Sequence, residues 1–72
     1  MMTNTDTNKI SRLINSEIHC VNVNLRSRRL SNVTDCVREL RRLVRELTCR
    51  TEIDRVTGFI TRTEVTVREL RS

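Results

Sequence analysis

The side chains best equipped for chemistry in this sequence are its arginines. Of fourteen basic residues thirteen are arginine, with Lys9 the exception, and nine carboxylates leave a net charge of +5. A guanidinium is always charged and forks onto phosphates and base edges in a way an ammonium cannot. The arginines gather at Arg26, Arg28 and Arg29, at Arg38, Arg41, Arg42 and Arg45, and at Arg50 beside Thr51. A basic chain of this size fits a polyanionic partner, nucleic acid foremost.

Other chemistries are poorly provided for. There is one histidine, His19, no glycine-rich phosphate loop and no carboxylate pair at a plausible cleft. A non-enzymatic protein without cofactor is expected. The three cysteines, Cys20, Cys36 and Cys49, are odd in number and lack a secretory context, which suggests a reducing compartment. His19 and Cys20 with Cys36 and Cys49 form the one soft-ligand set, but it lacks the short C-x-x-C pair of zinc sites. The cysteines are therefore expected as small buried hydrophobes, and no metal is expected. No apolar run approaches a membrane span, and residues 1–8 carry no signal-peptide core. A cytoplasmic protein is expected, nucleoid-associated if prokaryotic, with no membrane partner.

Seventy-two residues make one small unit with little core, and such chains commonly rely on a partner subunit. Phe59 is the only aromatic and Gly58 the only glycine. Residues 1–8 are Thr/Asn-rich and read as a flexible arm. Ile10, Leu13, Ile14 and Ile18 have helical spacing and predict a short helix over 9–18, capped by Asp6, Thr7 or Asn8. The period then changes. Val21, Val23 and Leu25 alternate with Asn22, Asn24 and Arg26, which predicts a strand. A lone strand needs a partner, and the simplest is the same strand of a second copy.

Ser27-Arg28-Arg29 reads as a charged turn. Ser31 or Asn32 can cap the next helix, with Asp35 three residues after Asn32. Val33, Val37, Leu40, Val44 and Leu47 mark an amphipathic helix over 32–48, its stripe widened by Cys36 and Leu43. Arg38, Arg41, Arg42 and Arg45 lie on the opposite face as a basic stripe. If that helix ran on, Ile53, Val56 and Ile60 would land opposite the stripe, so a break is expected near Thr48 to Thr51. A second stripe follows at Ile53, Val56, Ile60, Thr63, Val67 and Leu70. A C-terminal hairpin turning at Thr57-Gly58 is the alternative, because residues 51–67 are rich in Thr, Val and Ile. The tetrad Val-Arg-Glu-Leu recurs at 37–40, 44–47 and 67–70; the first two, one heptad apart, suit a helix–helix seam.

The order of arm, strand, helix, turn and helix resembles the ribbon-helix-helix family of the MetJ/Arc type, which includes repressors and plasmid partition proteins. The resemblance is carried by the strand Val21-Asn22-Val23-Asn24-Leu25-Arg26 and by Arg50-Thr51-Glu52-Ile53 opening the second helix, and it spans residues 20–62. It implies a mainly α fold with one short strand, built as an intertwined homodimer, with residues 1–18 as an arm and 19–72 as the DNA-binding domain. It implies that the paired strands enter the major groove. Asn22, Asn24 and Arg26 would then contact bases, Asn suiting adenine and Arg suiting guanine. Arg28 and Arg29 would hold phosphates, and Arg50 with Thr51 would offer a helix N-terminus to another. The implied function is sequence-specific repression or centromere binding in plasmid partition, with higher oligomers on DNA and a protein partner for the arm. Two rivals stand beside it. One is a small viral-type binder of double-stranded RNA, an RNA-silencing suppressor, using the 38–45 stripe. The other is a helical oligomerisation module built on the Val-Arg-Glu-Leu repeats.

Overall fold

Three helices make up the fold in a computed structural model that describes residues 3–72: α1 (Thr3–Arg26), α2 (Leu30–Val44) and α3 (Arg50–Arg71). Among the described residues there is no strand. The expected ribbon is therefore corrected, and with it the ribbon-helix-helix fold, its intertwined dimer and the alternative C-terminal hairpin. The flexible arm read over residues 1–8 falls partly outside the described residues, at Met1 and Met2; from Thr3 the backbone is helical. Helix α1 runs unbroken through Ile18 and His19, where an arm was expected to end.

The reason lies in two periods that share the same residues. Ile10, Ile14, Ile18, Val21 and Leu25 step by four, four, three and four, which is one face of a helix. Ile14 is 1% exposed and Val21 fully buried, while Ile10, Ile18 and Leu25 pack around them. Val23, which the strand reading places beside Val21, is 44% exposed. A helix satisfies its own backbone hydrogen bonds, whereas an isolated strand leaves a row of them unpaired. Asparagine and β-branched residues are weak helix formers, so α1 depends on packing against α2 rather than on propensity.

Helix α1 ends in a reciprocal backbone turn. The Arg28 N–H donates to the Leu25 carbonyl at 3.1 Å and the Arg29 N–H to the Asn24 carbonyl at 2.9 Å. This Schellman arrangement needs a left-handed residue, and Arg28 supplies it with φ 59°. Helix α2 starts at once, with Arg29 as an N-cap that makes no side-chain cap bond; the expected Ser31 and Asn32 caps lie inside the helix. At its other end the turn tightens to i−3 bonding, as Glu46 donates to Leu43 at 2.9 Å and Leu47 to Val44 at 3.0 Å. The helix therefore stops four residues short of the expected end, and α3 begins at Arg50, within the predicted break.

Helix α2 is the middle element. It packs closely on both α1 and α3, and among the described residues those two make no close backbone approach to each other. Its buried face is wide enough for this because Val33, Cys36, Val37, Leu40 and Leu43 cover about 120° of the helix. Cys36 and Leu43 lie on the α1 side, Val33 and Val37 on the α3 side. From α3 come Val56, Ile60, Thr63 and Val67 of the expected second stripe, whereas its Leu70 is 38% exposed and its Ile53 only half-buried. Thr57-Gly58 is ordinary helix, and a Cβ built on Gly58 would meet nothing within 4 Å. Gly58→Ala is therefore expected to stabilise the protein by about 0.5–1 kcal/mol, read as a higher urea midpoint. A hairpin turn at Gly58 would give the opposite sign. Among the described residues no helix is long and apolar enough to cross a membrane.

Candidate functional site

The antiparallel path of α2 and α3 brings two sets of arginines to one end of the molecule. Arg26 is the last residue of α1, Arg28 and Arg29 form the turn, and α2 starts beside them. The last turn of α3 comes back to this end. Arg68 and Arg71 line a groove with Val33 and Thr34 of the first turns of α2. Among the described residues, none of these five arginines makes an ion pair, and all five are exposed.

Elsewhere five of the eight remaining arginines are in ion pairs among the described residues. Arg38 meets Asp35 at 3.6 Å, Arg42 is bonded to Glu39, and Arg41 crosses to Glu64 of α3. Three of the four arginines of the expected basic stripe are thus paired, two within α2 and one across to α3, with Arg45 the member lacking an ion pair among the described residues. The Arg42 guanidinium donates to Glu39 and holds its carboxyl below the usual carboxylate range. Arg55 meets Glu52 at 2.7 Å, and Arg50 lies 3.8 Å from Asp54. Surface pairs of this kind add little stability, about 0–1 kcal/mol each, but they do remove free charge from a surface.

Helix ends sharpen the contrast. Arg26, Arg68 and Arg71 sit in the last turns of α1 and α3, where the dipole favours cations. The α2 N-terminus opens at the same end, with no acidic residue in its first turn and no side-chain cap. Its first intrahelical bond is made by Val33 to Arg29 at 3.1 Å, which leaves the N–H groups of Leu30, Ser31 and Asn32 facing outward. Five arginines around an uncapped helix N-terminus are the chemistry of an anion site.

The expected contact residues are dispersed by this arrangement. Asn22 and Arg26 lie four apart on one side of α1, and Asn24 lies about 200° around from Asn22. The Asn24 amide is also engaged, donating to the Cys20 carbonyl at 2.8 Å and accepting from the Asn32 amide at 3.2 Å. The three do not form one reading edge. Arg28 and Arg29 are separated from Arg50 and Thr51 by the length of α2, about 22 Å. The sequence reading missed Arg68 and Arg71. Their signal was the third Val-Arg-Glu-Leu tetrad, whose Arg68 falls one turn before Arg71 at the end of an apolar stripe.

A second group of reactive side chains lies between α1 and α2. The carboxylate of Glu17 and the sulfurs of Cys20 and Cys36 all come within 4.8 Å of one another. Glu17 and Cys20 are three apart on one face of α1, and Cys36 meets them from α2. The Asn24 amide lies 3.7 Å from the Cys20 sulfur as a donor. Cys36 is buried; burial first, then its bond to Cys20 and the nearby Glu17 charge, pushes its thiol up to about 12. Cys49 is exposed in the turn before α3, and His19 is exposed on α1, so neither joins the group.

Compared with known families, curated proteins and solved structures, the chain matches none, so its chemistry is read from its own residues.

Proposed function

We propose that this protein binds duplex nucleic acid through the phosphate backbone, using the arginine end formed by Arg26, Arg28, Arg29, Arg68 and Arg71. The observation that carries this reading is the sorting of charge. Five of the eight other arginines meet carboxylates and the remaining three, Arg12, Arg45 and Arg62, are scattered along the helices, while five arginines and the α2 N-terminus share one end without an ion pair among the described residues. Glu69 is the nearby carboxylate outside these pairs, and it leaves the end strongly positive. Arginines and backbone N–H groups of this kind position a duplex by its phosphates, without a base-reading strand or edge.

Arg28 adds a second argument. A non-glycine residue in the left-handed region costs about 1 kcal/mol, and glycine is the residue this turn favours. Among the described residues the Arg28 side chain makes no hydrogen bond or ion pair, but it puts a cation at the tip of the end. Arg28→Gly is therefore expected to raise stability by about 0.5–1 kcal/mol while lowering nucleic-acid affinity. Urea denaturation and a duplex titration, run on the same preparation, check the two signs.

The direct test titrates random-sequence duplex DNA and duplex RNA across a salt series. A steep linear fall of log affinity with log salt, nearly independent of sequence, is the expected result. Stronger binding to the RNA duplex would assign the end to A-form RNA, and stronger binding to DNA would assign it to B-form. Salt-insensitive binding, or none, would overturn the proposal.

A further inference from the structure

We propose that Glu17, Cys20 and Cys36 form a binding site for a thiophilic divalent cation of the zinc type, clamping α1 to α2. The site is distinct from the arginine end and does not depend on it.

Geometry comes first. Tetrahedral zinc with bonds of about 2.0 Å to oxygen and 2.3 Å to sulfur holds its ligand atoms about 3.5–3.8 Å apart. Here the three ligand atoms already lie within 4.8 Å of one another, and they come from two elements. A contraction of about an ångström by side-chain rotation closes the set around an ion. Two sulfurs and one carboxylate also select the metal. Thiolates favour zinc-like ions over magnesium and calcium, which prefer all-oxygen sets.

The surroundings act as a supporting shell. The Asn32 amide donates to the Asn24 oxygen, and the Asn24 amide approaches the Cys20 sulfur at 3.7 Å. A chain of amides from α2 through α1 thus fixes the sulfur that lies nearer to solvent. Outer partners of this kind orient metal ligands and tune their affinity. Cys36 anchors the inner side from the core, while Cys20 is exposed, so an ion enters from the Cys20 side and keeps a water as its fourth ligand. Binding forms two metal–sulfur bonds and one metal–oxygen bond, and the two thiol protons leave to solvent.

Anaerobic titration of the fully reduced chain with Co2+ tests this, followed by displacement with Zn2+. The expected result is one ion per chain, with the visible spectrum of tetrahedral cobalt and a near-ultraviolet thiolate charge-transfer band. Cys49→Ser should leave both unchanged. Cys20→Ser, at an exposed position, should keep its helical circular dichroism and lose the charge-transfer intensity. Glu17→Gln should weaken binding by about tenfold or more. Cys36→Ser is read only alongside its circular dichroism, because that residue is in the core. Absence of a tetrahedral spectrum, equal binding by Cys20→Ser, or loss of binding in Cys49→Ser would each overturn the proposal. So would a Cys20–Cys36 disulfide that, once reduced, returns no metal uptake.

Discussion

Val21→Asp should unfold the protein, while Val23→Asp should leave it folded. Both substitutions place the same carboxylate two residues apart, so the difference measures the side-chain period of this segment. Val21 of α1 is fully buried, and Val23 is 44% exposed. A chain of this length has a total stability of about 4–11 kcal/mol. An unpaired carboxylate in the core costs about 4 kcal/mol or more, after loss of the valine packing is included. An exposed carboxylate in α1 costs under about 1 kcal/mol, part of it from the helix C-terminal dipole. Urea denaturation followed by far-ultraviolet circular dichroism reads both. If segment 21–26 were a half-buried strand, Val21 and Val23 would share the core face and both variants would unfold.

Replacing Arg28, Arg29, Arg68 and Arg71 together with Ala should abolish tight, salt-sensitive nucleic-acid binding. Five phosphate contacts imply a slope of log affinity against log salt of about −4.5, at about 0.9 per contact. Between 50 and 200 mM salt, the unmodified protein should then lose affinity about 500-fold, and the fourfold variant only about 3- to 4-fold. The control is Arg38→Ala with Arg42→Ala. These arginines belong to the expected stripe, but both are paired within α2. Their removal also frees Asp35 and Glu39, yet it should change the slope by less than one contact. A larger slope change from this pair than from the fourfold variant would return the function to the stripe. Loss of helical signal in the fourfold variant is not expected, because all four side chains are exposed.

The mixture of correct and incorrect expectations has a physical pattern. Helix α2 and the stripe of α3 were legible because their apolar residues recur over many turns in one period. Val33, Val37 and Leu40 are buried, and so are Val56, Ile60, Thr63 and Val67. The break between the helices was legible for the same reason, since two stripes on opposite faces cannot belong to one straight helix. Segment 21–25 failed because three apolar residues are too few to separate period 2 from period 3.6. What resolves it is the longer register that joins Ile14 to Val21 and Ile18 to Leu25. The β-ribbon that the resemblance implied fell with it.

The sequence by itself determined an excess of arginine, two amphipathic stripes over α2 and α3 and a break before Arg50. Those properties follow from local periodicity and composition, which need no knowledge of what packs where. Tertiary structure decided which arginines keep a free charge. The Arg41–Glu64 pair joins residues 23 apart in sequence, and Arg68 reaches the α2 N-terminus only because α3 runs antiparallel to α2. It also decided that Cys36 meets Glu17 and Cys20 rather than Cys49. Ion pairs, clefts and ligand sets are set by distances between elements, and those distances are fixed by how three helices share one core.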